Sequence, residues 1–314
     1  MLAFESLDAV PADFGPSAVT IGKFDGVHAG HRAVLARLDQ LAAPDGLATT
    51  VLTFDRNPLS LLKPAECPES LVSNAQKLDL LGSTGLDATL VVKFDRAFST
   101  LPPEEFVTRI LVDTLHARLV LVGRDFRFGV RGSGNVAQLT ELGARYGFTV
   151  SVMEDVASEG DRRVSSTWVR ELLSDGKVKE ATDLLGAPHT IRGLVVHGLQ
   201  RGRTLGYPTA NLSPEVEGFV PADGVYAAWL TVRGIRYPAA VSIGNNPTFE
   251  GVAAQQVEAH AIDQDGLDLY GEVADIAFVE YIRGMRKFTG PEALAEQMGA
   301  DERRIREVLG VAPR

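Results

Sequence analysis

Apolar residues in the first half of the chain fall in short runs that alternate with stretches of helical period. Residues 18–24, 48–54, 89–94, 118–123 and 148–153 are β-rich and predict strands. After the first of these, Val34, Leu35, Leu38 and Leu41 recur at helical spacing until Pro44, Asp45 and Gly46 stop the pattern. Further helical patterns occupy 73–82, 102–114 and 135–146. Strands alternating with helices of this length predict an α/β domain, a parallel sheet with helices on its faces. Ligands of such sheets sit beyond the carboxyl ends of the strands, which draws attention to the loops after residues 24, 54 and 123.

A helical stretch from Thr167 to Leu185 ends at Gly186, with Pro188 just beyond. That helix stop predicts a boundary between a first domain, 1–186, and a second, 187–314. The pattern then changes to short strand-like runs at 190–197, 224–232, 235–243, 256–263 and 268–281, with Arg233-Gly234 as a hairpin tip. Such runs predict an antiparallel barrel or sandwich. A helix closes the chain: Thr289 and Glu292 have capping-box spacing, Pro291 lies just inside the start, and Leu294 and Met298 share a face.

Composition narrows the function. The 314 residues are 45% hydrophobic and 23% charged, ordinary globular values. The net charge is −10, and acid outweighs base on both sides of residue 185, which argues against a broad grip on nucleic acid. A single cysteine, Cys67, excludes disulfide scaffolds and thiolate metal cages. The first residues lack a signal-peptide pattern, and no apolar run approaches the 18 residues of a membrane span. The expectation is a soluble protein of a reducing compartment, the cytoplasm.

Two constellations carry the chemistry. The first, Gly22-Lys23-Phe24-Asp25-Gly26-Val27-His28-Ala29-Gly30-His31, runs from a strand into a helix. Free N–H groups and the dipole at a helix N-terminus form an anion site, and imidazoles add hydrogen bonds to phosphate without a permanent charge. Gly26 and Gly30 permit close approach of backbone to a nucleotide. The arrangement suits attack on an α-phosphate with charge developing on pyrophosphate. Asp55, Asn57 and Asp125 come after later strands, either as site residues or as turn-forming side chains. Arg162, Arg163, Ser165, Ser166 and Thr167 precede or open another helix, as a second anion site or as a plain N-cap.

The second constellation spans 193–211, rich in glycine, with Gly202, Arg203, Gly206, Pro208, Thr209 and Asn211. It reads as a phosphate cradle or as ordinary turns, and it lacks the Gly-Lys-Ser/Thr of a Walker A loop. Thr209 and Asn211 share one face of a strand and offer hard oxygens that, with ATP phosphates, suit Mg²⁺. Glu258 lies on a predicted strand whose other face is Val257, Ala259 and Ala261. Asn246, Pro247, Thr248 and Phe249 form a polar loop with an apolar end, suited to a ring and its polar edge.

Taken together these residues resemble the bacterial bifunctional riboflavin kinase/FAD synthetase family. Gly22 to His31 is similar to its nucleotidyltransferase signature and Gly206-Tyr207-Pro208-Thr209-Ala210-Asn211 to its flavokinase signature, and the likeness spans nearly the whole chain. The resemblance implies a Rossmann-like adenylyltransferase domain succeeded by a flavokinase β-barrel. The barrel would convert riboflavin and ATP·Mg²⁺ to FMN, and the first domain FMN and ATP to FAD and pyrophosphate. It implies that Gly22, Phe24, Asp25, Gly26, His28, Gly30 and His31 bind ATP, with Arg162, Arg163, Ser165, Ser166 and Thr167 on the same nucleotide. Asp55, Asn57, Asp125 and Asn246 to Phe249 would meet flavin; Gly202, Arg203, Gly206, Pro208, Thr209 and Asn211 the kinase ATP; Glu258 would be the kinase base. Lys23, Asn57 and Asp125 depart from the family pattern, Asn57 standing where histidine is common. The alternatives are an adenylyltransferase of another mononucleotide with an accessory barrel, and a non-catalytic flavin-binding regulator.

Overall fold

The computed structural model of the protein describes residues 1–153, 162–197, 209–244, 255–264 and 267–312. The chain divides into two units, Met1–Ser165 and Ser166–Arg314.

In the first unit six strands form one parallel sheet: β1 (Leu2–Phe4), β2 (Ser17–Ile21), β3 (Ala48–Phe54), β4 (Ala88–Val92), β5 (Ala117–Gly123) and β6 (Thr149–Met153). The order is β1-β4-β3-β2-β5-β6, so the winding reverses between β2 and β5. Alternate residues of each central strand go to different cores. Ala18, Val51 and Leu121 pack with Leu35 and Leu38 of helix α1 (Ala29–Ala42), while Val19, Leu52 and Val120 pack with Ile110, Leu139 and Leu142 on the other side. Burial on both faces explains why these strands read as continuous apolar runs. Helix α2 (Asn74–Gly82) starts with a Ser73/Gln76 capping box, and α3 (Val136–Tyr146) with Asn135 accepting from the Gln138 N–H. The pattern at 102–114 is helical as expected, but it passes from an α turn at Pro103–Phe106 into a π-helix, Val107–Val112.

The second unit opens with two helices, α4 (Ser166–Ser174) and α5 (Val178–Leu185), where the sequence predicts one; Gly176, at φ +75°, breaks the run. The Gly186 stop is real, with φ +74° at the helix end. By contacts the units divide after Ser165, because α4 and α5 dock on later residues of the chain. The Ala222 N–H donates to the Leu173 carbonyl, and a Cβ on Gly176 would lie 3.0 Å from the Tyr281 ring.

The remaining strands are β7 (Thr190–Val196), β8 (Ala210–Leu212), β9 (Gly224–Val232), β10 (Ile235–Gly244), β11 (Gln256–Ala261) and β12 (Val273–Arg283). They close a barrel in the order β10-β11-β8-β7-β12-β9, with antiparallel pairing. Alternation fills it: Ile191, Val195, Ala239, Val241, Ile243, Val257, Ala259, Ile276 and Phe278 are buried. Arg233 and Gly234, at φ +51° and +75°, turn the β9–β10 hairpin as expected. The closing helix α6 (Pro291–Leu309) is held by Arg283 on Asp301 (2.7 Å) and by Arg306 on Asp263 (2.7 Å), and Arg306 also pairs within the helix with Glu302 (2.8 Å). Its N-cap is Gly290 and makes no side-chain cap, so the Thr289/Glu292 capping box is not formed.

Candidate functional site

The first constellation lies at the carboxyl end of β2, beside the point where the sheet order reverses. The loop leaving β2 is strained. Phe24, Gly26 and Val27 all have positive φ (+50°, +81° and +42°), a region that a β-branched residue such as Val27 enters at a cost. Burial holds it there: Phe24 is 2% exposed and Val27 0%. Thr53 Oγ1 donates to the Lys23 carbonyl (3.1 Å), and the Leu71 N–H donates to Asp25 Oδ1 (2.9 Å). Asp25 therefore anchors the loop. A Cβ on Gly22 would sit 3.0 Å from the Phe24 ring.

His28 is the N-cap of α1, its Nδ1 accepting from the His31 N–H at 3.4 Å. That leaves the proton of the neutral ring on Nε2, a donor. The His28 and His31 rings stack with centroids 3.8 Å apart, and Phe24 lies 4.9 Å from His31. Burial, reinforced by the charge of Arg163, pushes the His28 pKa down to about 4 despite a backbone hydrogen bond that works the other way. His31 is pushed well below its ordinary value by burial, then by His28, Lys23 and Arg163. The spacing of the two histidines is legible in the sequence; their neutrality is a product of packing. At Gly30 a Cβ would lie 3.2 Å from His28 Cε1 and Nδ1, a tight contact that would press on the imidazole. The Val164 carbonyl lies 3.7 Å from that same position, so the segment carrying Arg163 packs at the start of α1. His31 Nδ1 and Arg32 Nε are buried without a hydrogen-bond partner among the described residues. Arg32 does not stand out in the sequence, where it looks like any first-turn arginine.

The neighbouring loops are mixed. Asp55 accepts from the Phe94 N–H (2.7 Å) and meets Arg56 (3.0 Å). Burial opposes its charge, but those partners prevail and hold the carboxyl below its usual value. Asn57 caps the short helix Pro58–Leu62 through the Leu59 N–H (3.1 Å). Asp125 is exposed in a turn closed by the Phe126 N–H on the Gly123 carbonyl. An open cleft gathers Lys23, Asp25, Phe54, Asp55, Arg56, Asn57 and Lys77. Arg162, Arg163 and Thr167 are exposed, Ser165 and Ser166 half-buried; Ser165 ends the first unit and Ser166 begins α4. Lys77, on α2, is missed by sequence reasoning, although a lysine four residues before the buried Leu81 falls on the apolar stripe of that helix.

In the barrel, the register places Asn211 of β8 directly opposite Glu258 of β11, and Glu258 opposite Ser242 of β10. Their flanking residues Ala210, Leu212, Val257 and Ala259 are buried, so Asn211 and Glu258 occupy the face turned away from the barrel core. Thr209 precedes β8, and its carbonyl and Oγ1 accept from Asn211 Nδ2 at 3.4 and 3.5 Å. Two neutral hard oxygens and a carboxylate are thus brought together from residues 47 positions apart. Among the described residues no group of three or more His, Cys, Asp or Glu is placed to hold a metal ion. Gly202, Arg203, Gly206, Pro208, Asn246, Pro247, Thr248 and Phe249 lie outside the described residues.

Residues 10–168 match the FAD synthetase family and residues 185–309 the riboflavin kinase family. The bifunctional riboflavin kinase/FMN adenylyltransferase of Escherichia coli K12 is 38% identical over 294 residues, 93% of each chain. That of Listeria monocytogenes is 37% identical over 292 residues, 92% of this chain and 91% of its own. A crystal structure from Streptococcus pneumoniae, named a macrolide-efflux protein, shares the fold with a TM-score of 0.84 and 31% identity over 97% of this chain and 98% of its own. No helix among the described residues is long and apolar enough to cross a membrane. With both family regions present in order and whole-length relatives above 30% identity, the chain belongs to the bifunctional riboflavin kinase/FMN adenylyltransferase family.

Proposed function

We propose that the barrel unit phosphorylates riboflavin to FMN with ATP and that the first unit adenylylates FMN with a second ATP to give FAD and pyrophosphate. The observation that carries this reading is the division of chemistry between the units. The stacked neutral histidines stand at a helix N-terminus in one, and a carboxylate faces an amide across adjacent strands in the other.

The two steps make different demands. FMN's phosphate is already an anion, so its oxygen attacks the α-phosphorus of ATP without a base, and the bond to pyrophosphate breaks. What the site must supply is neutralisation of the charge that moves onto pyrophosphate. His28 Nε2, the half-buried His31, the α1 N-terminus and the arginines at 162 and 163 supply it, with Ser165 as a further donor. Orphaned polar atoms on His31 and Arg32 fit a ligand rich in oxygen acceptors.

Riboflavin's hydroxyl is un-ionised at neutral pH, so the kinase step gains from a base. Glu258 accepts the hydroxyl proton as the oxygen bonds to the γ-phosphorus and ADP leaves. Thr209 and Asn211 would hold Mg²⁺ with the nucleotide phosphates, and the ion would neutralise their charge. A regulator that only bound flavin would need no carboxylate in this position. Incubating the protein with riboflavin, ATP and Mg²⁺ and separating the flavins over time tests the reading: FMN should rise first and FAD later, and the appearance of neither overturns it.

A further inference from the structure

Lys77 is 6% exposed, although Asn74, Ala75 and Asp79 on the same helix face solvent. Burying an ammonium group is costly unless it is paired, and an apolar side chain would occupy the place at lower cost. Its surroundings account for the charge. Nζ donates to the carbonyl of Phe54, the last residue of β3, at 2.7 Å. Asp25, on the loop after β2, and Asp55, on the loop after β3, both favour its charged form against burial, which lowers its pKa. Those carboxylates are themselves tied to main chain elsewhere, Asp25 to the Leu71 N–H and Asp55 to the Phe94 N–H. One ammonium thus draws together the loops that come after β2, β3 and β4. His28 lies three residues beyond Asp25 on the first of these, across the strained turn of Gly26 and Val27.

We propose that Lys77 is a positioning residue for adenylyl transfer: its buried ammonium clamps the loops after β2 and β3 at the carboxyl edge of the sheet and so holds His28 and His31 in register for the phosphates. It does this without touching the reacting atoms, and the inference rests on the first unit being the FMN adenylyltransferase. Removing the cation leaves Asp25 and Asp55 sharing a cleft with Lys23 and Arg56 as the remaining nearby cations. Asp55 then loses one of the charges that hold its carboxyl below its usual value, and the two loops lose their common partner.

The test uses the full chain carrying Lys77→Met or Lys77→Arg, with riboflavin phosphorylation in the same sample as the control for active protein and amide hydrogen-exchange protection of the Met1–Ser165 strands as the measure that this unit is folded. Lys77→Met should lower kcat for FAD formation from FMN by about tenfold or more, as misplaced phosphate donors do, with kinase turnover kept within about twofold. The acid limb of its adenylyl-transfer pH profile should move upward by roughly half a unit or more. Lys77→Arg, which keeps the charge, should recover most of the rate. FAD formation by Lys77→Met within about twofold of the unmodified enzyme overturns the proposal. So does a loss that leaves the pH profile unmoved and is shared by Lys77→Arg, which would make Lys77 a space-filling group, or a parallel loss of both activities. If the unmodified protein makes no FAD from supplied FMN, the underlying reading fails instead, and the two failures are distinct.

Discussion

The imidazoles of His28 and His31 lie face to face, 3.8 Å between centroids and 19° from parallel, on the first turn of α1. Two charged rings at that distance would repel, and burial together with the neighbouring cations keeps both neutral. A polyanion settling on them reverses that balance. ATP binding should therefore raise the His28 pKa from about 4. An NMR titration with a non-hydrolysable ATP analogue should show a rise of about one unit or more, and an unchanged midpoint would disconnect the histidines from the phosphates.

Gly30 permits that stack. Gly30→Ala introduces a methyl within 3.2 Å of the His28 ring, which must rotate or shift away from its capping position. FAD formation should fall by about tenfold or more while riboflavin phosphorylation is retained. Steady-state rates of both reactions on one preparation decide it, and a Gly30→Ala protein with normal FAD synthesis would show that the ring position is unimportant.

The Asn211–Glu258 pairing yields a reciprocal expectation. Glu258→Gln keeps the side chain's size on β11 but cannot accept a proton, so FMN formation should drop by roughly 10²–10⁴-fold. Supplied FMN should still be converted to FAD. Near-normal riboflavin phosphorylation in this variant would remove Glu258 from the base role.

Acid should weaken the barrel unit through His189. Its Nε2 donates to the Phe219 carbonyl at 2.7 Å, and complete burial lowers its pKa from 6.5 to about 4 in spite of that bond. The unfolded chain takes up a proton as the pH falls through 6.5, whereas the folded chain resists until about 4. The stabilisation is fully present above pH 6.5 and is lost as the pH falls towards 4, a loss approaching ~3 kcal/mol. Both tryptophans, Trp168 and Trp229, belong to this unit, so fluorescence-detected urea unfolding reports on it. His189→Gln should flatten the decline between neutral pH and pH 4.5; an identical slope would assign the acid sensitivity elsewhere.

The strands at 48–54 and 224–232 are legible to the residue because runs rich in apolar, β-branched and aromatic residues lie between turn signals at Gly46, Asp55, Asp223 and Gly234. The edge strand Leu2–Phe4 is not, being too short to show a period. Thr167–Leu185 looks like one helix because Gly176 is only a mild penalty to a helical pattern, and its left-handed φ becomes visible only in the fold. The stop at Gly186 ends a helix, whereas the grouping of α4 and α5 with the barrel strands depends on what they pack against. At the sites, His28 and His31 announce themselves by spacing along a helix. The Asn211–Glu258 neighbourhood depends on strand register across 47 residues, and Lys77 owes its meaning to tertiary burial that a helical lysine does not advertise.

The central claim is that two ATP-using sites operate separately within one chain. A flavin time course with the His28→Ala/His31→Ala double variant, supplied with riboflavin, ATP and Mg²⁺, tests it most directly. FMN should accumulate at the rate of the unmodified enzyme and no FAD should form. Loss of FMN formation along with FAD, or FAD made at an undiminished rate, would contradict the account.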